Sequence, residues 1–383
     1  MNTDFRSAHS TVADARQAAR ELHAGVSQPG MALVLFFCSS EYDLGALADE
    51  LNSLFGDVPV IGCTTAGEIG PAGYRSHSLS GVSFPASACT AVAGRLGDLQ
   101  QFGIAAGQTF ANDLLQKLES RSPAVSGANT FGFLMIDGLS IREEPVARTL
   151  KSALGDIMLC GGSAGDDLKF ARTRVFHDGA FHDESAVMAL VSTPLPFRLF
   201  KTQHFVSDNE RLVVTEVDAA HRIVKEINGL PAAEEYARVL GVEPGELNPM
   251  RFAATPVVVV IDGTDYVRSI QKANPDGTLT FYCAIDEGLV LRVAHGNDLV
   301  ANLELAMARI RDDIGQPLLT LGCDCILRNL EIAQKGLGET VGRVFEDNRT
   351  IGFCTYGEQI GGVHVNQTFT GIAIGARPEG GHA

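Results

Sequence analysis

A chain of 383 residues with 45% hydrophobic and 20% charged residues has ordinary globular composition and is long enough for two cores, which leaves little room for extended disorder. Its formal net charge of −16 gives a surface that repels phosphate, which argues against non-specific binding to nucleic acid or anionic membrane. No apolar run approaches the ~18 residues of a membrane span, and the first twenty residues lack the apolar core of a secretory signal. With eight cysteines mostly inside apolar segments and no disulfide-framework spacing, reduced thiols and a cytoplasmic location are expected.

In chain order, Val12, Ala15, Ala18, Ala19, Leu22 and Val26 share one helical face, with Thr11 and Asp14 as a capping-box-like start. Met31 to Cys38 reads as a buried strand, Leu44 to Phe55 as a helix, and Val58 to Cys63 as a second strand. The same strand–helix–strand pattern returns at Thr130–Ile136, Val146–Leu154 and Ile157–Cys160. It returns again at Leu318–Cys323, 325–346 and Thr350–Cys354. The second strands run into Gly62-Cys-Thr-Thr-Ala-Gly-Glu68, Cys160-Gly-Gly-Ser-Ala-Gly-Asp166 and Gly352-Phe-Cys-Thr-Tyr-Gly-Glu358. Crossovers of this length predict parallel pairing. Residues 170–218 and 256–294 read as short strands punctuated by turns, and a helix capped by Asp298 and closed by Gly315 comes next. The expected fold class is therefore mixed α/β: two domains, repeated strand–helix–strand units and additional antiparallel sheet.

Several stretches, in this order, resemble the FIST family, a FIST N-terminal domain followed by a FIST C domain. They are VPVIGCTTAGEIG (58–70), CGGSAGDDLKFARTRVFHD (160–178), VVTEVDAAHRIVKEINGLPAAEEY (213–236), GCDCILR (322–328), GFCTYGEQI (352–360) and HVNQT (364–368). The spacing from cysteine to Arg328 is longer than the family's Cys-x-x-x-Arg element. The resemblance implies an N-terminal helix over 1–28, a FIST N-terminal domain over 29–225, a FIST C domain over 226–376 and a tail over 377–383. It also implies a small-ligand sensor working beside a sensor histidine kinase or a cyclic-dinucleotide signalling protein. One subgroup, the haemoproteins called NosP, senses nitric oxide, and a similar length and N-terminal helix here make haem b a candidate cofactor. The second reading keeps the sensor with a small metabolite such as an amino acid as ligand.

Within this frame the candidate site residues can be named. Glu68, Asp166 and Glu358 stand at the glycine-rich strand exits, and Arg328 offers a cation, so these four are the expected ligand-binding residues. His204, flanked by apolar residues, and His364, in the C-terminal signature, are the candidate haem ligands. Cys323-Asp-Cys325 lacks the compact paired spacing of a zinc site. Gly161-Gly-Ser163-Ala-Gly165 spells the hydrolase Gly-x-Ser-x-Gly, but residues 166–175 read as a turn into a strand, not the helix that a nucleophile elbow needs. No enzymatic activity is expected on this reading, with a serine hydrolase through Ser163 as the rival from another class.

Overall fold

The computed structural model describes residues 4–376 except Pro123 and Asp262, so the 377–383 tail lies outside the described residues. The chain builds one topology three times: strand, helix, strand, helix, strand, a two-stranded hairpin and a returning strand. The first unit contains β1 (Arg6–Ser10), α1 (Ala15–Val26), β2 (Met31–Ser39), α2 (Leu44–Phe55), β3 (Val60–Thr65), β4 (Glu68–Gly70), β5 (Gly73–Arg75) and β6 (Leu79–Pro85). The second contains β7 (Thr90–Leu96), α3 (Ile104–Arg121), β8 (Thr130–Ile136), α4 (Glu143–Leu154), β9 (Met158–Ser163), β10 (Val175–His177), β11 (Ala180–His182) and β12 (Ala186–Ser192).

The third unit opens with β13 (Phe197–Thr202) and is interrupted by an insert. The insert holds β14 (Phe205–Asp218), β15 (Ile223–Ile227), β16 (Leu230–Pro231), α5 (Ala232–Leu240), α6 (Pro249–Ala254), β17 (Val257–Ile261), β18 (Thr264–Arg268), β19 (Ile270–Ala273), β20 (Leu279–Phe281) and β21 (Val290–Gly296). The unit then resumes with α7 (Leu299–Ile314), β22 (Pro317–Cys325), α8 (Ile326–Gln334), α9 (Gly338–Asp347), β23 (Thr350–Thr355), β24 (Glu358–Ile360), β25 (Val363–Val365) and β26 (Phe369–Gly375).

Each unit pairs its two crossover strands in parallel, as expected: β2 with β3, β8 with β9 and β22 with β23. The hairpins, however, are exchanged in a cycle. Hairpin β4–β5 extends the third sheet through β23, β10–β11 extends the first through β3, and β24–β25 extends the second through β9. Three six-stranded sheets result, and the insert forms a separate antiparallel sheet in the order β18-β17-β21-β14-β15-β20-β19.

The inner faces of the three sheets meet in one core that includes Phe37, Phe133 and Phe353, together with Cys63, Cys160 and Cys323. Helices cover the outer faces: α1 and α2 on the first sheet, α3 and α4 on the second, α7 and α9 on the third. Because strands buried on both faces carry no alternation, they read as continuous apolar runs. The insert has its own core around Leu212, Tyr236, Phe252 and Leu291. Two local readings differ. The cap of α1 is Asp14, whose side chain accepts from Gln17 N, and the stretch 325–346 is two helices, broken at Gly336 with φ +66°. The 225/226 division falls within β15.

Candidate functional site

The carboxyl ends of the parallel strands gather the residues nominated from sequence. Glu68, Asp166, Arg328, Glu358, His204 and His364 are each less than 5% exposed, so each must have internal partners or leave a costly orphan.

Glu68 and Glu358 are true equivalents. Thr65 Oγ1 donates to Glu68 Oε1 at 2.5 Å, and Ser78 N and Oγ donate to Oε2 at 3.1 and 2.6 Å. Thr355 Oγ1 donates to Glu358 Oε1 at 2.5 Å, and Thr368 N and Oγ1 donate to Oε2 at 3.2 and 2.8 Å. In both copies the residue before the Ser or Thr is left-handed, His77 at φ +53° and Gln367 at φ +51°. Each glutamate thus ties its strand exit to the start of the returning strand. Burial pushes Glu68 up to about 7 and Glu358 up to about 8, against the hydrogen bonds that favour the charged form.

Asp166 is not the third equivalent. By register Glu68 faces Phe353 and Glu358 faces Gly162, and the corresponding partner of Cys63 is Val175. The second unit moves its buried carboxylate to Asp137, which accepts from Leu139 N, Glu184 N and the Thr173 hydroxyl. Asp166 instead folds the loop after β9. It accepts from the amides of Phe170, Ala171 and Arg172 at 3.1, 2.8 and 2.7 Å, and from the Tyr356 hydroxyl. Arg328 is paired with Asp324 at 2.8 Å, and Tyr74 OH donates to the same carboxylate.

Neither histidine offers haem an open Nε2. His204 Nε2 lies 3.0 and 3.1 Å from the Glu331 oxygens, with Lys335 on the same carboxylate, and its ring packs on Phe205. His364 Nδ1 faces Gln359 Nε2 at 3.1 Å. Its Nε2 points to the backbone of Gly357, where a Cβ would stand 2.6 Å away. The cavities of 240–630 Å³ on the described surface are lined by neither residue. In this conformation the residues do not fit a haem ligand set.

What sequence reading missed surrounds His364. Where the insert closes over the β24–β25 hairpin, six buried side-chain atoms have no hydrogen-bond partner: Arg268 Nε, Ser269 Oγ, Gln359 Oε1, His364 Nε2, Asn366 Nδ2 and Gln367 Oε1. Other hydrogen bonds of these residues cross the interface. Arg268 Nη1 donates to His364 O at 3.3 Å, Ser269 N donates to Asn366 Oδ1 at 3.4 Å, and Gln367 Nε2 donates to the carbonyls of Phe252 and Ala253 on α6. Gln359 Nε2 reaches Ser163 Oγ at 2.9 Å and Gly357 O at 3.3 Å. Burial drives His364 down to about 4, so it is neutral at pH 7.

The insert is fastened to the second unit beside this cluster. Arg222, before β15, donates to Tyr282 O at 2.6 Å, to Glu143 at 2.7 Å and to Glu144, and Glu144 also accepts from Ala284 N. Phe170, Tyr282 and Tyr356 form an aromatic layer next to it, with ring centroids 4.9 to 6.1 Å apart. Two sequence signals point this way. Gln359 and the run from His364 to Thr368 stand inside the C-terminal motifs 352–360 and 364–368, and Arg222 stands in the junction motif 213–236. Arg268 and Ser269 carry no such signal.

The FIST N domain family model matches residues 32–230 and the FIST C domain model matches 232–361. The chain belongs to the FIST family. FIST domains are small-ligand sensor domains of signal transduction. No curated protein matches the sequence. Among solved structures, a cyanuric acid hydrolase described as "evolutionary innovation by structural concatenation" aligns over 97% of this chain and 100% of its own, at 11% identity and TM-score 0.34. With an enzyme among the aligned structures, the expectation of a chain without enzymatic activity is withdrawn, and no activity is put in its place. At that TM-score the likeness assigns no activity to this FIST chain. Ser163 ends β9 and is followed by loop rather than by the helix of a nucleophile elbow. All eight cysteines are buried and free, with Cys89 and Cys160 pushed up to about 12 and Cys283 to about 11 by burial, which is unreactive thiol chemistry. No described helix is long and apolar enough to cross a membrane.

Proposed function

We propose that this FIST chain senses a small polar metabolite, of which an amino acid is one example, at the interface between the insert and the β24–β25 hairpin. The supporting observation is the cluster of six unpartnered polar atoms. Native interiors satisfy nearly all such groups, and leaving one unmade costs ~1–3 kcal/mol. Six at one interface mark a place where a polar occupant restores what folding removed.

A ligand signals only by binding two conformations unequally. Here the insert meets the three-sheet body through the Arg222 cluster and through Arg268 and Ser269, so an occupant touching both sides biases their separation. A sensor histidine kinase or a cyclic-dinucleotide enzyme is the proposed recipient of that state.

The test is a metabolite screen by thermal shift, with hydrogen exchange on the hits. A ligand at 100 times its Kd adds ~2.7 kcal/mol of stability. Protection is expected at 268–269 and 356–367, and hits that protect only other segments would overturn the site. Haem with nitric oxide, the NosP-like reading, is the alternative occupant, and it needs His204 freed from Glu331 or His364 freed from Gln359. Its mark is a Soret band in the purified or haem-reconstituted protein that shifts with nitric oxide and is lost in His204→Ala or His364→Ala.

A further inference from the structure

Away from the insert, one imidazole and two carboxylates converge on a point. Glu41 follows β2, His77 precedes β6 and Asp167 follows β9, so all three stand at the carboxyl ends of parallel strands, where α/β folds place ligands. Each offers one donor atom, and the three atoms lie within 4.8 Å of one another. Donors bound to one ion at ~2.0–2.2 Å stand no more than ~4.4 Å apart, so small side-chain rotations close the set.

The backbones beneath these donors are held. Ser39 N donates to Ser78 O at 3.0 Å, and Glu41 N donates to Ser39 Oγ at 3.2 Å. His77 leads into Ser78, whose N and Oγ bind Glu68. Asp167 N donates to Thr65 O at 3.3 Å, and Asp167 O accepts from Tyr356 OH at 2.5 Å. The position before the returning strand is left-handed in all three units, at His77, Glu184 and Gln367. Only the first unit places an imidazole there.

The group already attracts a cation. Lys169 Nζ lies 2.8 Å from Glu41 Oε1 and 3.7 Å from Asp167 Oδ2, while His77 Nδ1 lies 2.8 Å from Glu41 Oε2. One ammonium against two carboxylates leaves a negative charge over. Asp167 Oδ2 is itself buried and accepts no hydrogen bond, so its lone pairs face the group unused. Lys169 is half-exposed on a flexible stem and can swing out to solvent.

We infer that Glu41, His77 and Asp167 form a site for a divalent transition-metal ion, with water on the exposed side and Lys169 as a built-in competitor. An imidazole nitrogen among the donors favours zinc or nickel over calcium and magnesium, which take oxygen. The ion ties the loop after β9 to the end of β2 and the start of β6. That loop carries Phe170, which packs on Tyr356 with ring centroids 4.9 Å apart.

The experiment is calorimetric titration of the untagged, chelator-stripped full chain with zinc chloride, with hydrogen exchange to locate the ion. One equivalent should bind and slow exchange at 76–78 and 166–172. The eight cysteines are buried in the native fold and do not compete. His77→Asn and Asp167→Asn keep residues that tolerate a left-handed backbone. These two and Glu41→Gln should each weaken zinc ~10-fold or more. Lys169→Met should tighten zinc ~2- to 5-fold, the worth of an exposed ion pair, and misfolding cannot produce a gain. His295→Gln, at the exposed pair with Asp208, should leave the affinity unchanged. Calcium or magnesium binding as tightly as zinc would overturn the metal class. Zinc affinity unaltered in His77→Asn and Asp167→Asn would overturn the site, as would no saturable uptake by either the native chain or Lys169→Met.

Discussion

Arg222→Met tests whether the insert is held to the three-sheet body by charge. Arg222 sits in a left-handed turn at φ +57°, and methionine carries the same backbone cost there, so that contribution cancels in the comparison. The substitution keeps an unbranched stem and removes a guanidinium that satisfies Tyr282 O, Glu143 and Glu144. Removing one partner of a buried ion pair costs ~3–5 kcal/mol, because the remaining charge stays buried and unpaired. The loss is pH-dependent. Burial already raises Glu143 to about 7 with Arg222 present, so without the arginine it takes up a proton at neutral pH and part of the penalty disappears. Above that range the variant must bury the charge or bind a proton against the solvent, at ~1.4 kcal/mol per pH unit. The expected destabilisation therefore grows between roughly pH 6.5 and 8.5, and Glu143→Gln in the Arg222→Met background should recover part of it. Urea unfolding at both pH values measures this, with hydrogen exchange at 279–284 to report release of the insert. A loss below ~1 kcal/mol at both pH values, with unchanged protection, would refute the argument that this cluster fastens the insert.

Glu358 has a folded pKa near 8 against 4.5 for the free side chain, so the folded state holds a proton that the unfolded state has released. Its contribution is fully present below 4.5 and is lost as pH rises through about 8. Glu358→Gln, which mimics the protonated form, should flatten the fall of stability between roughly pH 5.5 and 7.5 by up to ~1.4 kcal/mol per unit, and an unchanged slope would contradict this. Asp166→Asn replaces an acceptor oxygen with an NH2 group facing two backbone amides, at a cost of ~1–3 kcal/mol and of exchange protection at 170–172; retained protection would count against the loop-folding role. The eight buried cysteines should resist a thiol reagent in the native state and all react on unfolding, so a fast-reacting thiol would reveal a local opening of the core.

The parts of the fold that were legible are those whose burial leaves a periodic or continuous apolar signal. The six crossover strands and the helices α1, α2, α4 and α7 fall where apolar runs, helical spacing and caps placed them. What was not legible was pairing. Hairpins of three residues per strand, such as β4–β5 and β24–β25, carry too little periodicity to be seen, and nothing local says which sheet they join. That exchange also explains the misplaced third acid. Glu68 and Glu358 begin their hairpins, but in the second unit the hairpin starts at Val175, so Asp166, although spelled alike, stands in a loop that the other units lack.

The same reasoning bears on the proposed site. A charged residue draws attention in a sequence, yet the conspicuous charges here, Glu68, Asp166, Arg328 and Glu358, are the ones most completely satisfied. Glu68 and Glu358 stand at equivalent strand exits because a buried turn needs its donors and acceptors matched, and this need recurs with the topology. A ligand site is the opposite condition, polar groups buried without partners, and it arises where the repetition fails. The insert between β13 and α7 covers one hairpin, β24–β25, and there side chains of the insert and of the body meet with hydrogen bonds left over. Gln359 and Asn366 are neutral and unremarkable in the sequence. They gain chemical meaning only because a sheet some 90 residues away along the chain closes over them and removes their water.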